Sequence, residues 1–157
     1  MSKTRELQKG IVSVEFALIL PVLMILLLGL IDFGRLTRDK LIVINAANAG
    51  ARFGSLNPIN FDDDNGIINA ALSSGLDLPI LQSDITVAPR SCYCITNNGL
   101  NMTLMASCFA SCTGVGVDPT PAKYVTVSTG YFFNPLFTWP LILQPTTITA
   151  SSTMREQ

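Results

Sequence analysis

The dominant feature in the pattern of apolar and polar positions is an apolar run of 21 residues, from Ile11 to Ile31. Its one charged side chain is Glu15, and Pro21 lies inside it. At about 1.5 Å per residue, a helix of this length reaches about 31 Å, which matches a hydrocarbon core of about 30 Å. The pattern therefore predicts a membrane-spanning helix at residues 11–31.

The residues after this run predict that the helix continues beyond the membrane, over residues 32–53. Apolar or small side chains recur there at helical spacing, at Phe33, Leu36, Val43, Ala47 and Gly50. Glycine and proline in the stretch 54–58 end the predicted helix. A second, shorter helix is predicted after three aspartates at 62–64, and Gly75 ends it.

The second half of the chain predicts an antiparallel sheet. Alternating or β-branched stretches predict strands at 84–95, 102–108, 123–133 and 146–154, with a turn at 97–99. The predicted fold class is α+β: a long N-terminal transmembrane α-helix leads into a small head. In this head the second helix packs on an antiparallel β-sheet.

Charge and composition exclude several classes of function. The formal net charge is −1 and only 13% of residues are charged, so no basic face for nucleic acid is expected. The chain has no histidine, which excludes imidazole-based acid–base catalysis and histidine metal ligation. No nucleophile elbow or phosphate-binding loop is present. The sequence predicts neither an enzyme nor a cofactor.

Four cysteines lie within 21 residues: Cys92, Cys94, Cys108 and Cys112. An even number of cysteines in a head outside the membrane indicates disulfides. A nested pairing, Cys92 with Cys112 and Cys94 with Cys108, suits an antiparallel hairpin, although the connectivity stays open. The alternative is a four-thiolate zinc site, but the spacing is not that of a typical zinc knuckle and an oxidising compartment disfavours it.

Two further features have a structural and a functional interpretation. The aspartates at 62–64 are interpreted as helix caps, with a calcium site as the alternative. The loop 134–141 is bounded by prolines and carries apolar side chains, among them Phe137 and Trp139. These two residues are a possible partner contact if the loop is exposed, or core residues if it folds under the sheet.

The intramembrane acid Glu15 is the strongest functional clue, because a charge at this depth costs roughly 2.5 to 3.5 kcal/mol unless it has a partner. Glu15 follows Gly10 by five residues and precedes Phe16, after a basic start. A plain membrane anchor with a snorkelling glutamate is one alternative. An ordinary secretory signal peptide is another, but its core would lack an acid and would end at a small-x-small site.

The leader resembles the type III signal of prepilins and pseudopilins: basic residues, Gly10, Glu15, Phe16 and then an apolar helix. The match extends through the stretches LGLIDFG and NAANAGARFGS, the cysteine hairpin and the tail that begins YVTVSTGYFFNPLF. Together these motifs resemble the TadE-like family of pseudopilins, from the tight-adherence (Flp) branch of type IV pili. The resemblance adds a pilin-like fold to the predicted α+β class.

The resemblance implies a minor pilin that a prepilin peptidase cuts between Gly10 and Ile11, with Ile11 as the new amino terminus. The domains are then a cytoplasmic leader (1–10), the transmembrane helix (11–31), its periplasmic continuation (32–53) and the head (54–157). The excess of Lys3, Arg5 and Lys9 over Glu6 predicts that the amino terminus lies in the cytoplasm, and the resemblance implies a bacterial cell. The head is periplasmic until the subunit enters a pilus at the cell surface.

The same resemblance implies roles and partners. Glu15 would neutralise the terminal amine of a neighbouring subunit and so set the register of assembly. Pro21 would ease extraction from lipid, or be a tolerated membrane proline. The implied partners are the prepilin peptidase, other minor pilins, the major pilin, the inner-membrane assembly platform and membrane lipid. The alternative function is a single-pass membrane-anchored binding module or adhesin.

Overall fold

A computed structural model describes residues 3–95, 102–105, 107–113, 120–137 and 144–157, with side chains from residue 13 onward. The chain divides into two compact units. One comprises Met1–Arg38 and Asn134–Pro145, and the other comprises Asp39–Phe133 and Thr146–Gln157.

The first unit is dominated by helix α1, whose bounds are Lys3–Ser55 and whose last part belongs to the second unit. The helix continues through Pro21 without ending, and it extends two residues beyond the predicted end at 53. Within the described residues, one helix, Ser13–Ser55, is long and apolar enough to cross a membrane, with a mean hydropathy of 2.8 in its most apolar window. This agrees with a single-pass membrane anchor.

The second unit contains two short helices after α1. Helix α2 (Pro58–Asp62) begins after Asn57, whose side chain accepts a 2.8 Å hydrogen bond from the N–H of Asn60. Helix α3 (Asp64–Ser74) is capped by Asp63, whose carboxylate accepts from the N–H of Gly66 at 2.9 Å. The predicted second helix is therefore confirmed, together with its end at Gly75. Helix α2 was not predicted.

Five antiparallel strands form one sheet in the described part of the second unit. They are β1 (Ile85–Val87), β2 (Ser91–Ile95), β3 (Met102–Leu104), β4 (Ala122–Phe133) and β5 (Thr146–Arg155). The long strand β4 is central: β5 pairs along it from Tyr124 to Phe133, while β1 and β2 pair with different parts of it. Strand β3 pairs only with β2 among the described strands.

The core of this unit lies between the sheet and the helices α1 and α3. On β4, Val125, Val127 and Thr129 alternate toward this side and are buried. Gly50 and Gly54 let α1 approach α3 and β4 closely. A Cβ atom on Gly54 would lie 2.8 Å from Cδ1 of Ile67 in α3. The predicted α+β fold class, with an apolar amino-terminal helix and a helix with an antiparallel sheet in the head, is confirmed.

Two strand predictions were wrong in their bounds. The strand predicted at 84–95 is in fact two strands, β1 and β2. Residues 88–90 interrupt it, because Pro89 cannot donate a hydrogen bond to a neighbouring strand. The strand predicted at 102–108 ends at Leu104, because the chain then turns to bring Cys108 back to Cys92. The predicted turn at 97–99 lies outside the described residues.

Candidate functional site

The predicted processing and assembly residues lie on one continuous helix. Gly10 and Ile11 fall within the backbone of α1, and the side chain of Ile11 lies outside the described part of the structure. Glu15 is exposed on the helix surface, as is Phe16 at 60%. The structure thus leaves the Glu15 carboxylate accessible to surrounding molecules, and neither the cut at Gly10 nor the role of Glu15 is tested by it.

An apolar surface surrounds Glu15 and continues along the helix to Phe33, just beyond the predicted span. Its large exposed side chains are Val14, Phe16, Leu18, Ile19, Leu20, Val22, Leu23, Met24, Ile25, Leu26, Leu27, Leu30, Ile31 and Phe33. A contiguous apolar surface of this extent is unfavourable in water and marks a membrane or protein contact. It is therefore the surface that a bilayer or neighbouring subunits would cover.

A buried carboxylate follows the apolar run directly. Asp32 is fully buried, and its two carboxylate oxygens accept hydrogen bonds from the N–H of Leu136 at 2.9 Å and the N–H of Phe137 at 3.2 Å. Arg35, one helical turn further on, contributes its guanidinium at 3.4 Å. A buried charge is tolerated only with such partners. We call this arrangement the Asp32 clamp.

Sequence reasoning did not identify the Asp32 clamp, since the loop it holds lies 104 positions further along the chain. The available signal was the position of Asp32. A carboxylate directly after a membrane-length apolar run lies close to hydrocarbon, so it points to a specific partner.

The loop held by the clamp was predicted either to be exposed or to fold under the sheet. Phe137 is 50% exposed and Leu136 is 59% exposed, whereas Pro135 is buried. At Phe137 the structure therefore favours the exposed alternative. Trp139, the second residue predicted there, lies outside the described residues.

All four cysteines form disulfides, as predicted, but the nested pairing is wrong. The bonds join Cys92 to Cys108 and Cys94 to Cys112. The nested pairing was predicted because it suits an antiparallel hairpin, in which the chain around Cys108 and Cys112 returns alongside Cys92 and Cys94. In fact β3 places Thr103 opposite Cys94, and both later cysteines follow the end of β3. Neither cysteine lies on a strand that pairs with β2, so hairpin geometry does not decide their partners.

Two of the three aspartates at 62–64 have structural roles in the head. Asp63 caps α3, and Asp64 forms an ion pair with Arg90. Arg90 also donates from Nε to the carbonyl of Phe61 at 2.6 Å, and its guanidinium lies 5.2 Å from the centre of the Phe61 ring. The capping interpretation is confirmed for Asp63.

A cleft of about 230 Å³ opens beside these residues, lined by Phe61, Asp62, Arg90, Ser107, Cys108, Phe109 and Lys123. Its two cations already have acidic partners: Arg90 pairs with Asp64, and Lys123 pairs with Glu156 at 3.2 Å. One ion pair joins the connection between β1 and β2 to α3, and the other joins β4 to Glu156 near the carboxyl end. We therefore assign this cluster to the stability of the head.

Comparison with known proteins supports the interpretation of the helix. The model of the TadE-like protein family matches residues 10–52, a range that contains Glu15, Pro21 and Asp32. No curated protein and no solved structure matches the chain. The match begins at Gly10 and ends shortly before the end of α1. The predicted resemblance to the TadE-like family is thereby confirmed over residues 10–52.

Proposed function

We propose that this protein is a minor pilin of a tight-adherence type IV pilus, cut after Gly10 by a prepilin peptidase and active in pilus initiation or tip formation. The single observation that carries the proposal is the TadE-like match over residues 10–52, which starts at the proposed cut. Counting from Ile11, Glu15 would be the fifth residue of the mature chain. The function is structural, and no catalytic role is proposed.

The exposure of Glu15 and of the apolar surface around it supports an assembly role. A new terminal amine and the unpaired N–H groups at the start of α1 both carry positive charge, which favours an acid in the first turns. Two opposite charges 4 Å apart attract by about 1 kcal/mol in water, and the attraction grows as the dielectric constant falls. A subunit whose amine meets the Glu15 of a neighbour would therefore be held in register inside an apolar bundle.

The experiment compares Glu15→Ala with a matched acid control, Glu6→Ala, in cells that assemble the pili. Glu6 lies in the proposed leader, so its removal should change neither the mature chain nor its assembly. We expect Glu15→Ala to be cut normally but to be lost from sheared pili, while Glu6→Ala is found there at the normal level. Normal incorporation of Glu15→Ala would contradict the registry role.

The alternative is a single-pass anchored binding module or adhesin, favoured by the exposed apolar side chain of Phe137. The two functions differ at the amino terminus. An anchored module would keep residues 1–10 and stay in the membrane fraction, whereas the proposed pilin loses them. Only the proposed pilin function implies the proposed partners. These are the peptidase, other minor pilins, the major pilin and the inner-membrane assembly platform.

A further inference from the structure

We propose that the segment Asn134–Phe137, held by the Asp32 clamp, is an interfacial membrane anchor that inserts Leu136 and Phe137 among the lipid headgroups at the outer edge of the hydrocarbon core. The occupant of this exposed apolar pair is thus the bilayer surface. The inference rests on the proposed function in one respect, because it requires the apolar run of α1 to span a membrane.

The position of Asp32 sets the depth of the segment. Asp32 directly follows Ile31, the last residue of the apolar run, so its carboxylate lies at the level where the hydrocarbon core ends. The amides of Leu136 and Phe137 lie 2.9 and 3.2 Å from that carboxylate. Their backbone is therefore held at the same level as the boundary between hydrocarbon and headgroups.

The side chains at this level suit a lipid surface. Leu136 and Phe137 are both at least half exposed. Leu30 and Phe33, on either side of Asp32 in α1, are 70% and 64% exposed. Aromatic and aliphatic side chains gain free energy by entering the interfacial region, while their polar backbone must stay hydrogen-bonded there. The clamp meets this second condition for two N–H groups at once.

The same arrangement explains how an acid is tolerated at the membrane edge. A lone carboxylate near hydrocarbon is costly, but Asp32 exchanges water for two backbone donors and the guanidinium of Arg35. Arg35 is 41% exposed in its side chain, so its charge still reaches water or lipid phosphate. Asp32 is a positioning residue, and the apolar side chains of the loop make the lipid contact.

The test measures insertion depth with tryptophan fluorescence in phosphatidylcholine vesicles, using lipids brominated near the headgroup or near the bilayer centre. The full chain carries Trp139→Phe, which removes its single native tryptophan. A reporter is then introduced as Phe137→Trp in the loop, Leu23→Trp in the apolar run or Phe109→Trp in the head. Phe109 is 91% exposed and provides the reference for a side chain in water.

We expect Leu23→Trp to be quenched most by the deep bromines, Phe137→Trp most by the shallow bromines, and Phe109→Trp by neither. If Leu23→Trp is quenched and Phe137→Trp behaves like Phe109→Trp, the membrane anchor in the loop is wrong and the segment is free for a protein partner. If Leu23→Trp itself is not quenched, α1 does not span the bilayer, and the proposed function fails together with this inference.

The clamp is tested in the Phe137→Trp background with Asp32→Ala. Its matched control is Asp39→Ala, which removes a second buried aspartate of α1 seven residues further on. We expect Asp32→Ala to abolish the shallow quenching and to shift the emission to longer wavelength, and Asp39→Ala to leave both unchanged. Retained shallow quenching in Asp32→Ala would overturn the positioning role of Asp32. Near-ultraviolet circular dichroism of each variant verifies that the head is folded.

Discussion

The side-chain hydroxyl of Thr129 in β4 donates a 3.0 Å hydrogen bond to the main-chain carbonyl of Val43 in α1. Both residues are buried, with Thr129 only 2% exposed. A threonine in the middle of an apolar strand face is therefore satisfied by the helix that covers the sheet. This bond fixes the position of α1 along β4 in the second compact unit.

Replacing this hydroxyl with a methyl group should weaken the head slightly. We expect Thr129→Val to lower the free energy of unfolding by about 1 kcal/mol, since one buried hydrogen bond is lost while the volume is kept. The measurement is chemical denaturation of the full chain in detergent micelles. The matched control is Thr126→Val on the opposite face of β4, where Thr126 pairs with Thr153 across the strands. Equal effects of the two variants would contradict a specific role for the bond to Val43.

Two glycines of α1 should respond oppositely to the same substitution. A Cβ atom on Gly50 would lie 3.1 Å from the carbonyl oxygen of Ile67 and 3.2 Å from Val127, whereas Gly34 has nothing within 4 Å. We expect Gly50→Ala to destabilise the head by roughly 1 to 3 kcal/mol through overpacking. Gly34→Ala should be neutral or stabilising, because alanine favours a helix by about 0.5 to 1 kcal/mol over glycine.

The measurement for the glycine pair is again denaturation in micelles, followed by the near-ultraviolet circular dichroism of the head. An unchanged or higher stability of Gly50→Ala would show that α3 moves away from α1 without cost. That result would contradict the tight packing of α1 against α3 and β4.

The disulfide connectivity is tested by removing cysteines in pairs. Cys92→Ala with Cys108→Ala should leave the Cys94–Cys112 bond intact, so alkylation before reduction adds no mass. Cys92→Ala with Cys112→Ala should leave two cysteines that are not native partners, and both should be alkylated. Each bond closes a loop of 16 or 18 positions, and we expect its loss to cost about 3 kcal/mol. If instead the first variant is alkylated and the second is not, the nested pairing is correct.

Replacing Arg90 with lysine should destabilise the head. Its guanidinium reaches the carbonyl of Phe61 and the carboxylate of Asp64 from different nitrogens, a geometry that a single ammonium cannot reproduce. We expect Arg90→Lys to lower the stability of the head by about 1 to 2 kcal/mol. Arg155→Lys, at an exposed position near the carboxyl end, is the control and should change nothing. If Arg90→Lys leaves the stability of the head unchanged, the Arg90 contacts contribute no more than a surface ion pair would.

Much of the fold was predictable because the relevant signals are local. The apolar run and the glycine and proline after residue 53 predicted α1, and aspartates before an apolar face predicted α3 and its capping by one of them, which is Asp63. Alternation predicted β4 and β5 almost to the residue, since β4 has one buried face and β5 has one face that is less exposed than the other. The break at Pro89 was also readable in principle, because proline cannot continue a sheet ladder there.

The features that were not predicted depend on contacts between residues far apart in the sequence. The Asp32 clamp joins residues 104 positions apart, and no local pattern around Asp32 indicates which amides it binds. The disulfide pairing was mispredicted for a similar reason: it depends on where the chain turns after Leu104, not on cysteine spacing. The predicted roles of Gly10 and Glu15 concern a peptidase and neighbouring subunits, so they remain predictions.

The central claim is that this chain is a processed pilus subunit, and the intact mass of the protein extracted from membranes tests it most directly. In cells that contain the prepilin peptidase, we predict a chain that begins at Ile11, with all four cysteines oxidised; in cells without the peptidase, it should begin at Met1. A chain that still begins at Met1 in peptidase-containing cells would contradict the claim and leave an anchored extracytoplasmic module in its place.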